Sequence, residues 1–173
     1  MLTPGGAEAS TTPGTKDAEP RLEAFFMKNF GRLVDVLAPI SDDAVDAVQD
    51  AFIEAHLHWA EVSNLENPYA WVRKVAIRKL HDRHRRQLTH GRLLATLSAL
   101  RRDVEPADAR HLDLTNAMKA LPMRQRVAVA LFYLEDMSLQ DISAATGISE
   151  GAIKSALYDG RRRLKQIMGA EDG

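Results

Sequence analysis

Apolar positions recur along this chain at the three-and-four spacing of helices with one buried side, and no stretch alternates as a half-buried strand does. The pattern predicts an all-α protein. Leu22, Phe25, Phe26, Phe30 and Leu33 mark one side of a first helix from Arg21 to about Leu37, which Pro39 ends. Ser41 is placed to cap a second helix running to about Trp59. It carries Val45, Val48, Phe52, Ala55 and Trp59 on one side and Asp43, Asp46, Asp50 and Glu54 on the other. After a polar loop over 62–67, Asn67 supplies a cap and Pro68 a first helical position for a third helix to about Arg86. On that helix Lys74, Arg78, His81 and Arg85 fall within an arc of roughly 60°, while Val72, Ala76 and Leu80 point away. Trp71 borders the basic stripe, where it is either a core residue or a stacking surface for a base.

Further on, Leu93, Leu94, Leu97 and Leu100 predict a short helix, and Asp103, Glu105, Pro106 and Asp108 a linker. A new helical pattern starts near Leu112, and Pro122 opens another through Leu134. Residues 137–157 then spell two short helices joined by a glycine turn. Ser138 and Asp141 form a capping box, Ile142 gives the buried face, and Gly147 can take the left-handed conformation that stops the first helix. Ser149 caps the second, whose inward residues are Ile153, Leu157, Gly160 and Leu164; Gly151, Ser155, Tyr158 and Arg162 fall opposite. An apolar back with a small, polar front is what a major groove admits. The expected organisation is a disordered tail over 1–20, a helical domain over 21–87, a linker over 88–111 and a helix-turn-helix domain over 112–168.

Charge sharpens this picture. The net charge of −1 over 173 residues conceals a sorting: residues 21–62 hold three Lys/Arg against eight Asp/Glu, whereas residues 63–102 hold ten against two. A basic block of that density faces either a polyanion or simply solvent. The absence of cysteine leaves no disulfide framework and no thiolate metal site, which fits a reducing cytoplasm. No apolar run approaches the roughly 20 residues of a membrane span, so no membrane insertion is expected.

Catalytic chemistry finds little support. Carboxylates four apart on the second helix could bind a divalent ion, but nothing adds the glycine turn or second element such a site needs. His56 and His58 point to different sides, and His81 and His84 sit in a cationic helix that repels a metal. There is no HExxH, no glycine-rich phosphate loop and no GxSxG, so neither metal nor cofactor is expected and the chain is read as not an enzyme.

Taken together, the two halves resemble the bacterial extracytoplasmic-function (ECF) sigma factors of the sigma-70 family. Asp-Ala-Val-Gln-Asp-Ala-Phe at 46–52, Asn-Pro-Tyr-Ala-Trp-Val at 67–72 and the basic end of the third helix are similar to region two. Leu-Pro-Met-Arg-Gln-Arg at 121–126, with Ile-Ser-Glu-Gly-Ala-Ile-Lys-Ser at 148–155, is similar to region four. The resemblance implies an alternative sigma factor that binds core RNA polymerase and directs promoter DNA recognition and melting. It gives Asp46, Gln49, Asp50 and Ile53 the polymerase dock. It gives Asn64, Asn67, Trp71, Lys74, Arg78 and Arg85 the melted minus-ten element. Ser149, Glu150, Ala152, Lys154, Ser155, Tyr158, Arg161 and Arg162 would meet the minus-thirty-five duplex. Family members are commonly held by an anti-sigma factor packed between the two domains, a further partner the resemblance allows. A stand-alone helix-turn-helix repressor or activator is the alternative, and a metal-dependent helical hydrolase a distant third.

Three positions depart from the family pattern: Ala152 for a usual Thr, Ala156 for a usual Arg, and Asp159 for a neutral or basic residue. Thr146 stands where a Leu normally packs between the two helices, a change costing about 1–2 kcal/mol if Thr is buried there.

Overall fold

The computed structural model describes residues 18–97 and 114–169. Every regular element in them is a helix: α1 (Ala18–Leu37), α2 (Ala44–Leu57), α3 (Trp59–Val62), α4 (Pro68–Leu97), α5 (Leu114–Lys119), α6 (Met123–Tyr133), α7 (Leu139–Thr146) and α8 (Glu150–Gly169). Of the expected tail over 1–20, residues 18–20 are already the start of α1, while 1–17 lie outside the described residues, as do Leu100 and the acidic linker residues.

Helices α1 to α4 form one unit. Phe25 and Phe26 of α1 meet Phe52 of α2 at ring separations of 5.8 and 5.2 Å, and Phe25 reaches Trp59 at 5.2 Å, so aromatic packing fixes α1 across α2. The buried stripe of α2 is Ala44, Ala47, Val48, Ala51, Phe52 and Ala55. Small residues there let α2 lie close along α4, whose Val72, Val75, Ala76, Ile77 and Leu80 are buried. Val45, expected inward, is 45% exposed, because the alanine stripe rather than the larger side chain faces α4. The second helix also stops short of Trp59: His58 breaks it at φ −115°, and Trp59 opens the short α3 with its ring buried.

Helix α4 starts as expected, with the Ala70 N–H donating to Asn67 Oδ1 at 3.0 Å. It does not end near Arg86 but continues to Leu97, absorbing the predicted leucine helix and the first residues assigned to the linker.

Helices α5 to α8 form the second unit, with α6 packed along α8. Ser138 Oγ accepts from the Asp141 N–H at 3.1 Å, Gly147 stops α7 in the left-handed region at φ 73°, and Ser149 Oγ accepts from the Ala152 N–H at 3.3 Å. Gly160 is where α8 approaches α6 most tightly: a Cβ there would lie 2.9 Å from Val129 Cγ2. Thr146 is half-buried rather than buried, and its hydroxyl donates to the Ile142 carbonyl at 2.7 Å and accepts from the Ile148 N–H at 3.2 Å.

The two units touch. Helix α7 packs on α4 and α6 on α1, and buried apolar residues run as one cluster from Leu33 to Leu157.

Candidate nucleic-acid interface

Of the residues assigned to duplex reading, Ser149, Glu150, Lys154, Ser155, Tyr158, Arg161 and Arg162 are exposed along one face of α8, and Ala152 is half-buried beside them. The helix is held by the opposite side, where Ile153, Leu157 and Gly160 are buried and Leu164 half-buried. Ala156 is buried with them at 6% exposure, so this departure from the family pattern falls on the core side and subtracts nothing from the groove face. Asp159 is half-buried at the edge.

The residues assigned to the melted strand sit on α4 and the loop before it. Trp71 is half-buried against the core and Lys74 is exposed. The basic stripe is less free than its sequence implies. Arg78 Nη2 lies 2.8 Å and Lys79 Nζ 2.9 Å from the Glu54 carboxylate, and Arg85 Nη2 lies 3.6 Å from Asp82. Lys79 first and then Arg78 hold the Glu54 carboxyl below its ordinary range. In the loop, Asn64 Nδ2 donates to the Ala60 carbonyl at 2.6 Å while Asn67 caps α4, and Ser63, Leu65 and Glu66 are its other exposed side chains.

On α2 the expected docking residues share one outward side, with Asp46, Gln49 and Ile53 exposed and Asp50 half-buried. Arg83, in the basic end of the predicted third helix, reaches around to it, a pairing the sequence did not show: Nη2 lies 2.6 Å from Asp50 Oδ2 and Nη1 3.7 Å from Asp46 Oδ2. Beside these charges Phe26, Gln49, Phe52, Ile53 and His56 line an apolar cleft of about 570 Å³ between α1 and α2.

Sequence reasoning missed the junction between the units altogether. The Glu135 side chain, 0% exposed, accepts from Tyr69 Oη at 2.9 Å and Arg73 Nη1 at 2.7 Å, with Arg32 Nη2 at 3.3 Å. The Arg32 guanidinium lies over the Tyr69 ring at 4.6 Å. Arg126 Nη1 donates to the Ile40 carbonyl at 2.6 Å, and Lys119 pairs with Asp42. A second cleft, about 540 Å³, lies where Trp71, Lys74, Arg78 and His81 of α4 face Ala144 to Gly147 at the end of α7. Burial, and then His84, holds the His81 imidazole below its ordinary value.

Comparison with known proteins agrees in both halves. Residues 32–89 match the family described as Sigma-70 region 2, and residues 111–164 match Sigma-70, region 4. The chain is 32% identical over 154 residues to the ECF RNA polymerase sigma factor SigF of Caulobacter vibrioides, covering 88% of this chain and 82% of that protein. It is 27% identical over 167 residues to SigM of Mycobacterium tuberculosis, covering 93% and 82%. The fold matches that of the sigma factor RpoE of Bartonella quintana, solved with the anti-sigma factor NepR, at a TM-score of 0.65 and 24% identity over 86% of this chain and 97% of that one.

Proposed function

The chain belongs to the ECF sigma factors of the sigma-70 family, and from that membership we propose how its surfaces divide the work of starting transcription. It directs core RNA polymerase to promoter DNA. Docking falls to the outward side of α2, where Asp46 and Asp50 offer charge and Gln49 and Ile53 neutral contact to a basic partner surface. Trp71, Lys74, Arg78 and Arg85 of α4, with the loop Asn64 to Asn67, hold the melted minus-ten strand: phosphates on the cations, a base on the ring. The exposed front of α8 reads the minus-thirty-five duplex, with Ser149, Glu150, Ala152, Lys154, Ser155 and Tyr158 toward base edges and Arg161 and Arg162 toward phosphates. The chain acts by binding and not by catalysis, and it works in the cytoplasm, where polymerase and promoter are. An anti-sigma partner would meet it at the junction of α4 and α7. Its two functional domains are 21–87 and 112–168, the tether between them beginning in the last turns of α4.

The observation that carries this division is the outward strip of α2, where Ile53 and Leu57 are 58% and 73% exposed between carboxylates. Adjacent apolar side chains left in water beside charge mark a surface made for a partner. Run-off transcription with core polymerase tests it. Start sites that appear only when the chain is added support the reading; tight duplex binding by the chain alone, with no transcription, would favour a stand-alone repressor or activator.

A further inference from the structure

We propose that this chain carries its own latch: the Glu135 carboxylate, seated among Tyr69, Arg73 and Arg32, holds the C-terminal unit over the strand-holding face of α4 and keeps the free chain from engaging a melted promoter. The inference rests on the assignment of α4 to single-stranded DNA.

All three of these partners of Glu135 come from the other unit. The carboxylate sits on the turn between α6 and α7, and that turn is built to present it. Asp136 takes a left-handed backbone at φ 50°, a conformation Asp tolerates better than most residues, and the Met137 N–H donates to the Leu131 carbonyl at 3.1 Å. Met137, two residues on, is buried in the core and anchors the turn from which Glu135 reaches α1 and α4.

A buried ion pair of this kind has two distinct responses. Removing one partner strands a charge away from water and is strongly unfavourable, whereas parting the whole interface returns every charge to water, so the net gain of closure is small. The closed state also leaves Arg73 Nε, Arg126 Nε and His81 Nε2 buried without a hydrogen-bond partner, and opening relieves all three. Such a junction is specific in its fit and yet easy to open as a unit, which is what a latch requires.

Closure is incompatible with the proposed activity on two counts. It places Ala144 to Gly147 beside Trp71, Lys74 and Arg78, so that the face of α4 becomes one wall of a cleft of about 540 Å³, with Lys74 and Arg78 still exposed at its mouth, rather than an open groove for a strand. It also fixes the two reading surfaces within one globule, roughly 40 Å across for a compact chain of this length. Minus-ten and minus-thirty-five elements centred about 25 base pairs apart lie roughly 85 Å along a duplex at 3.4 Å per step. The outward sides of α2 and α8 stay exposed, so the closed chain can still dock and still touch duplex DNA. Opening is the step that follows.

The test uses the full chain, whose lack of cysteine makes site labelling clean. Spin labels on Met27→Cys and Met168→Cys, both exposed, report the separation of the units by pulsed electron resonance. A single short distance is expected in the parent chain, and a longer, broader distribution in Glu135→Gln with helix content intact. Arg32→Gln, which trims the exposed arm of the latch, should give a partial shift even if the Glu135 variant folds poorly. For function, Asp42→Cys and Lys119→Cys are joined by a short cleavable thiol cross-linker. The locked chain with core polymerase should lose promoter melting at least tenfold by permanganate footprinting and regain it on cleavage. An unchanged distance distribution in both variants, or normal melting by the locked chain, overturns the latch. If the unlinked chain fails to start transcription with core, the sigma assignment fails instead, and the label distances still judge closure by themselves.

Discussion

Tyr69 and Glu135 stand 66 positions apart in sequence and share a 2.9 Å hydrogen bond, the phenol donating to a carboxylate that has no exposed surface. Burial first, and then the Glu135 hydrogen bond and charge, push the Tyr69 phenol well above its ordinary value of 10.0. Because the folded value is raised, the stabilisation it brings is complete below the ordinary phenol range and is lost as pH climbs toward the folded value. Tyr69→Phe should therefore remove the most alkaline component of a near-ultraviolet tyrosine titration and cost about 1.5–3 kcal/mol in urea unfolding, the range for hydrogen bonds to charged groups.

Arg83 neutralises the carboxylates assigned to the polymerase dock. Asp50→Lys should weaken association with core by several kcal/mol through like-charge contact. Its effect on stability should be small, about 1 kcal/mol, since the pair it breaks is partly open to solvent. Arg83→Ala should do the reverse, exposing Asp46 and Asp50 and raising the association rate at low salt. Binding kinetics against salt concentration measure both; equal behaviour of the two variants would remove α2 from the dock.

Gly160 has no room for a side chain. Gly160→Ala places a methyl 2.9 Å from Val129 Cγ2 and 3.4 Å from Gln125 Cβ. Overpacking at about 1–3 kcal/mol outweighs the gain in helix propensity of about 1 kcal/mol, so the melting temperature should fall. Adding Val129→Ala should recover part of the loss, which a thermal melt of the double variant would show.

Lys154 is the long cation early in α8. Lys154→Ala should cost roughly 1–3 kcal/mol and relax choice at one or two upstream positions, while Arg162→Ala should weaken all sequences about equally. Holoenzyme binding across a randomised upstream element at fixed salt separates the two; untouched base preferences in the Lys154 variant would make it a phosphate contact.

His81 links the junction to pH. It faces Trp71, Lys74, Arg78 and Asp82 of its own helix, with Glu54 of α2 and the uncharged end of α7 lining the same cleft. Its depressed value means the closed, folded chain prefers the neutral ring, so stability declines as pH falls through 6.5 toward the folded value. His81→Asn should flatten that decline in urea midpoints measured across the range.

Local structure was legible because its causes are local. Ser138, Gly147 and Ser149 act on backbone groups within three or four residues, and the inward set of α8 follows from helical geometry alone. What failed depends on which neighbour lies opposite. Val45 outranks Ala44 and Ala47 in hydrophobicity, yet α4 approaches the alanines, because close packing of two helices rewards the smaller side chain. Glu135 reads in sequence as an ordinary turn acid, and nothing near it announces partners on α1 and α4. Arg78 and Arg85 were visible as a stripe, but not that Glu54 and Asp82 would hold them.

The alanine stripe of α2 brings Asp50 and Glu54 within reach of Arg83 and Arg78, so the acidic and basic faces share counter-charges. A partner drawing the carboxylates outward frees guanidinium groups for phosphate, and a strand taking the guanidinium groups frees the carboxylates. Under the division of surfaces proposed above, thermodynamic linkage makes the two effects equal: any factor by which polymerase improves the grip on DNA is the factor by which DNA improves the grip on polymerase. Helix spacing, set by a methyl group per turn, thereby becomes a term in the cooperativity of initiation.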